Sequence, residues 1–186
     1  MLITLSRVFV TRRGALPMTR NTLNTLNQAL MMEIEGLCGA ERQLVAVLPK
    51  LANAAASDSL RNAFAQHAAQ TQQHLLLMQK LVASLGIKCS TGISAGIAGL
   101  ISDAEHMIEV EGSAVCKDVA LIAVAQRIEY YEIAAYSNAQ ELADFLGLTD
   151  VSHTLTHVLD EEYAASERLR DVCDDVTREA LEHMAA

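Results

Sequence analysis

Gln126-Arg127-Ile128-Glu129-Tyr130-Tyr131-Glu132-Ile133-Ala134-Ala135-Tyr136 has no glycine or proline and sets acidic residues where a packed helix expects apolar ones. Around this run, Val119, Ile122, Gln126, Glu129, Ile133 and Tyr136 recur at the alternating three-and-four spacing that marks one face of a helix. Three further stripes keep the same spacing. They are Leu30, Ile34, Leu37, Glu41, Leu44, Leu48 and Leu51; then Leu60, Phe64, His67, Thr71, His74, Met78, Leu81 and Leu85; then Leu155, Leu159, Glu162, Ser166, Leu169, Cys173 and Val176. Each stripe is apolar at its ends and polar in its middle.

Composition agrees with helices: 51% of the residues are apolar but only 4% are aromatic, and proline is absent from Leu51 onward. The 186 residues fit one domain with a substantial core. Breaks fall at Ala56-Ser57-Asp58, Gly86 to Gly99, Gly112-Ser113 and Gly147-Leu148-Thr149-Asp150. Ser57 or Asp58, Ser113, and Thr149 or Asp150 are suited to capping helix N-termini, and Gly86 and Gly147 to ending helices. The pattern predicts an all-α, antiparallel four-helix bundle over residues 18–186, with a shorter helix from Ser102 to Glu111 in the central crossover.

The net charge of -9, with no cluster of Lys and Arg after Arg13, argues against a nucleic-acid partner. The apolar run Ile93 to Ile101 is far short of the roughly 20 residues of a spanning helix and reads as a linker. Cys38, Cys89, Cys116 and Cys173 form no CxxC pair and read as reduced thiols of a cytoplasmic protein. Residues 1–17 carry Arg7, Arg12 and Arg13 without an acid and precede a second Met at 18. A disordered or over-extended leader, a cleaved targeting peptide and an ordered arm all fit this segment, and none belongs to the bundle pattern.

A carboxylate on a core stripe costs several kcal/mol to desolvate unless it is paired, protonated or bound to a cation. Glu41, Glu129 and Glu162 lie on three different stripes, and short turns between helices bring mid-helix positions to a common level. Hard cations such as iron or manganese suit that donor set, with imidazole nitrogen beside carboxylate oxygen. The two halves also echo each other, since Glu41 and Glu132 are 91 residues apart (132 minus 41), as are Gln70 and Glu161 (161 minus 70).

The run Gln126 to Tyr136 resembles the signature helix of the YciE/YciF family of ferritin-like stress proteins. The resemblance extends to Ala40-Glu41-Arg42-Gln43-Leu44, to Phe64 through Thr71, and to Leu159-Asp160-Glu161-Glu162, and covers roughly Leu26 to Val176. It implies a ferritin-like fold, a homodimer and a dimetal site built from glutamates of all four helices. Two positions depart from the family pattern: Gln70 stands where relatives carry a carboxylate, and Ser166 where they commonly carry Asp.

The candidate metal ligands are therefore Glu41, His67, Glu129, Glu132 and Glu162, around a dinuclear iron or manganese site. Glu41, Glu129 and Glu162 are assigned chelating or bridging roles, Glu132 a terminal one, and His67 nitrogen donation. The bland alternative pairs the glutamates with Arg42, Arg127 or Arg168. For His74 a core histidine satisfied by a carboxylate is favoured over a ligand, and Glu161 reads as a surface neighbour. His106, His153, His157 and His183 read as lying away from the site. Tyr130, Tyr131, Tyr136 and Tyr163 read as packing residues whose hydroxyls orient carboxylates. The function expected is handling of iron or manganese with oxygen or peroxide during stress, an oxidoreductase of ferroxidase or peroxide-handling type. Its rival is a non-enzymatic helical dimer whose site has decayed through Gln70 and Ser166.

Overall fold

A computed structural model describes residues 23–89 and 94–185. The segment 1–17 that the sequence sets apart lies outside them. Five helices follow in order: α1 (Leu26–Ala54), α2 (Asp58–Ser84), α3 (Ala95–Glu109), α4 (Ala114–Phe145) and α5 (Thr149–Ala185).

The boundaries obey local chemistry. Thr25, Ser57 and Ser113 each accept a hydrogen bond from the backbone N–H three residues on, so three helix starts have a side-chain cap. At the other ends Gly86 and Gly147 adopt φ of 70° and 68°, a left-handed conformation that glycine enters without a Cβ clash. The residue after each glycine then reaches back into the last turn, Ile87 N to Val82 O at 3.0 Å and Leu148 N to Ala143 O at 2.9 Å.

α1 and α2 form one antiparallel hairpin, α4 and α5 the other, and α1 packs on α4 while α2 packs on α5. The fully buried Asp118 of α4 joins them by accepting hydrogen bonds from Ala56 N at 2.8 Å and Ser57 N at 2.7 Å in the first hairpin's turn. Nearly every stripe position is buried; Leu85, Val119, Gln126 and Cys173 are half-buried. The apolar side chains separate into two clusters. Leu44, Leu48, Phe64, Ile122 and Leu169 belong to one, and Leu30, Ile34, Met78, Tyr136 and Leu155 to the other. Burying each large aliphatic side chain is worth roughly 1.5–3 kcal/mol, so these two clusters carry the bundle and leave the polar waist between them as the costly layer.

Two expectations are corrected. The crossover helix starts at Ala95, seven residues before Ser102 and inside the stretch expected to be loop. Gly96 serves packing: a Cβ there would lie 3.1 Å from Cε2 of Tyr131, so glycine lets α3 lie close on α4 while Ile97, Ile101 and Ala104 are buried. The second correction concerns the thiols. Cys38 and Cys89 form a disulfide, with Cα atoms 5.3 Å apart, that ties α1 to the segment leaving α2. Cys116 and Cys173 are free, as expected. No helix among the described residues is long and apolar enough to cross a membrane.

Candidate metal centre

The waist gathers Glu41 from α1, His67 and His74 from α2, Glu129 and Glu132 from α4 and Glu162 from α5, all at most 4% exposed. Two groups of donor atoms form. His67, Glu129, Glu132 and Glu162 place one ligand atom each within 4.8 Å of one another, and Glu41, His74 and Glu162 do the same. Glu162 belongs to both.

His67 Nε2 lies 3.1 Å from Glu129 Oε1, and His74 Nδ1 lies 2.9 Å from Glu162 Oε1 and 3.7 Å from Glu41 Oε1. Tyr136 donates its hydroxyl to Glu41 Oε1. The other oxygens have no such partner: Glu41 Oε2 and both oxygens of Glu129, Glu132 and Glu162 are buried without an aligned hydrogen bond, as are both nitrogens of His67. Seven of the eight carboxylate oxygens of these four residues thus lack an aligned hydrogen bond, and of these Glu129 Oε1 and Glu162 Oε1 have an imidazole nitrogen within 3.1 Å.

The electrostatics follow from this crowding. Burial, then the charge of Glu162, pushes Glu41 up to about 8, against the pull of His74, Tyr136 and His67. Burial alone would depress the imidazoles. The carboxylates outweigh it: Glu129, with Glu162 and Glu41, lifts His67 to about 9, and Glu162 and Glu41, with Glu161, lift His74 to about 9. Burial raises Glu129 despite His67 beside it, and burial with three neighbouring glutamates raises Glu132 well above the usual carboxylate range. An unsatisfied cluster of this kind is costly in a dry interior.

All five residues expected at the site are brought there, Glu41 in one group and His67, Glu129 and Glu132 in the other, with Glu162 common to both. Glu41, Glu129 and Glu162 lie beside imidazoles, while Arg42 and Arg127 are exposed and Arg168 donates to Gln70 Oε1 at 2.9 Å. His74 is a buried histidine held by carboxylates, as favoured, and it also stands in the second donor group. Glu161 is more than a surface neighbour: its Oε2 lies 2.6 Å from His74 Nε2. Its 91-residue relation to Gln70 is the sequence signal that could have marked it. Of the tyrosines only Tyr136 reaches a carboxylate. Tyr131 faces Ser94 Oγ at 3.2 Å, and Tyr130 and Tyr163 are about half exposed, because residue 130 stands one position round the helix from the inward 129 and 163 likewise from 162. His106, His153 and His157 are exposed; the side chain of His183 lies outside the described ones.

Fold and site together define a ferritin-like helical bundle with a buried glutamate–histidine centre. A ferritin-like, diiron-carboxylate protein of Bacillus anthracis superposes with a TM-score of 0.63, at 16% identity over 81% of this chain and 99% of that one, which bears on the fold alone. The model of the family described as a domain of unknown function, DUF892, matches residues 25–182, and the chain belongs to that family. YciF of Escherichia coli K12 is 30% identical over 88% of this chain and 99% of its own length. The crystal structure of that stress protein superposes with a TM-score of 0.80, covering 84% of this chain and 99% of that one. YcfI of Rhodopseudomonas palustris does so with a TM-score of 0.75 at 31% identity, covering 81% of this chain and 96% of that one.

Proposed function

We propose that the chain is a ferritin-like metal-binding protein that holds two iron or manganese ions at its waist and handles oxygen or peroxide in the stress response. One observation carries this: four buried glutamates crowd together seven carboxylate oxygens that lack an aligned hydrogen bond, with only two imidazoles among them. With neutral imidazoles their four negative charges match two divalent cations, and oxygen with nitrogen donors suits iron or manganese. His67, Glu129, Glu132 and Glu162 would hold one ion, and Glu41, His74 and Glu162 the other, with Glu162 shared.

Bound iron or manganese would supply redox chemistry toward oxygen or peroxide. The chain's own residues supply the setting. Tyr136 fixes the rotamer of Glu41 through its hydroxyl, and the two apolar clusters keep bulk water from the waist. A homodimer accompanies this reading, as the resemblance to the family implies.

The rival function is a non-enzymatic helical dimer, favoured by Gln70 being engaged by Arg168 and by Ser166 standing buried on the stripe in place of a carboxylate. Glu162→Gln separates the two. On the metal reading, wild type takes up two Mn²⁺ or Fe²⁺ per chain anaerobically, and the variant binds at least about tenfold more weakly at both positions while staying helical. A wild type with no uptake, and a melting temperature indifferent to both ions, leaves the non-enzymatic dimer standing.

A further inference from the structure

Both donor groups are buried, but they differ in what lies behind them. The apolar clusters close the ends of the bundle, and His67, Glu129, Glu132 and Glu162 are at most 4% exposed. Behind His74 the wall is one side chain thick. Its Nδ1 faces Glu162 and Glu41, while its Nε2 lies 2.6 Å from Oε2 of Glu161, whose side chain is 34% exposed. Glu161 in turn lines a cavity of about 490 Å³ between α2 and α5, together with Gln66, Gln70, Gln73 and His157.

We propose that this cavity is the port through which a divalent cation reaches the buried centre, with Glu161 as its outer ligand; the inference rests on the metal reading above. A hard cation surrenders its hydration shell only as other oxygens replace it, so a route inward needs donors at each stage. The cavity supplies them in order. Gln66 and Gln73 are exposed, Glu161 is half-buried, and the buried His74 ring stands between Glu161 and the pair Glu41 and Glu162. Glu161 is the lone carboxylate of a lining that is otherwise glutamine, Ala69, Leu77 and His157, so it would bind a cation weakly enough to release it inward, where four glutamates wait. Arg168 is held aside, donating from Nη2 to Oε1 of Gln70 at 2.9 Å, so the charge that an incoming cation meets at Glu161 is that of His74. A cation held by Glu161 would replace the contact of Glu161 with His74, the imidazole releasing its extra proton to solvent, and rotation of the freed neutral ring would open the way to Glu41 and Glu162.

Loading kinetics test the port apart from the centre. Stopped-flow uptake of Co²⁺, followed by its visible absorption, and of Mn²⁺, followed by loss of its free-ion magnetic resonance signal, is measured on wild type, Glu161→Gln and Ala69→Arg. Ala69 lines the same cavity, is exposed and belongs to neither donor group, so the arginine obstructs the mouth by bulk and charge while the bundle keeps its helical signal. Both variants should load at least tenfold more slowly than wild type and reach the same final stoichiometry. Unchanged rates in both overturn the port and leave the centre intact. Slow loading in Glu161→Gln alone, or a lowered stoichiometry in it, also overturns the port by making Glu161 a part of the centre. A wild type that takes up neither ion overturns the metal reading and the port with it.

Discussion

The hairpin α1–α2 brings one carboxylate and two imidazoles to the waist, Glu41, His67 and His74, whereas α4–α5 brings three carboxylates, Glu129, Glu132 and Glu162. Their frames match. Glu41 and Glu132, 91 residues apart, are both 0% exposed, and Gln70 and Glu161, with the same separation, line one cavity from opposite helices. A repeated frame therefore fixes positions without fixing chemistry: nitrogen has gathered on one hairpin and anionic oxygen on the other. In the metal-free protein the first hairpin's imidazoles must compensate the second hairpin's charge, and with metal bound they need not.

Changing pH should expose that division with the largest effect. His67 and His74 rise from 6.5 to about 9, and Glu41 from 4.5 to about 8. All three shifts are upward, so between the ordinary and the raised values the folded chain holds more protons than the unfolded one. Stability then falls as pH rises. The imidazoles' contribution is complete below about pH 6.5 and lost by about pH 9, and Glu41 adds a decline between 4.5 and 8. Chelator-treated protein should lose stability on the order of several kcal/mol from pH 6 to pH 9, measured by urea unfolding. Saturating Mn²⁺ should flatten or reverse the slope, because ligands must be deprotonated to bind. A metal-free stability that is flat or rising over this range would mean that the imidazoles do not offset the glutamates.

The disulfide sharpens the comparison next. Cys38–Cys89 closes a 51-residue separation across the first hairpin, whereas the second has the free Cys116 at its start and Cys173 on α5. Cross-links of this kind typically stabilise by about 2–4 kcal/mol, by restricting the unfolded chain. Reduction should lower stability by that amount, with amide exchange accelerating in α1 and α2 before α4 and α5. The double variant Cys38→Ser, Cys89→Ser should melt at the reduced protein's temperature and ignore reductant. A loss under about 1 kcal/mol would show that packing alone holds the hairpin.

Much of this was legible in the sequence, and for a physical reason. Burial imposes the helical period, so Glu41, Glu129 and Glu162 could be placed in the core from spacing alone, and capping chemistry located Ser57, Ser113, Gly86 and Gly147. What escaped depends on contacts between elements. Cys89 follows α2 and meets Cys38 only after the hairpin closes. Gly96 looks like a helix breaker until Tyr131 lies against it. Glu161 sits beside the stripe rather than on it, and its importance comes from His74 on the facing helix. Periodicity reports how deeply a residue is buried; it does not name the partner.

The smallest effect tests whether the repeated frame still carries a latent ligand. Gln70→Glu would restore a carboxylate at the position matching Glu161, and in the folded protein that side chain already meets Arg168. Both residues are half-buried at the cavity's edge, so the new pair is partly solvated and should add no more than about 1 kcal/mol, screened by salt. Metal affinity should stay within about threefold of wild type, since the arginine holds the new oxygen as it holds the amide's. An increase of tenfold or more would show that residue 70 leaves Arg168 for the centre once it carries charge, and that nothing but the amide separates this position from ligand duty.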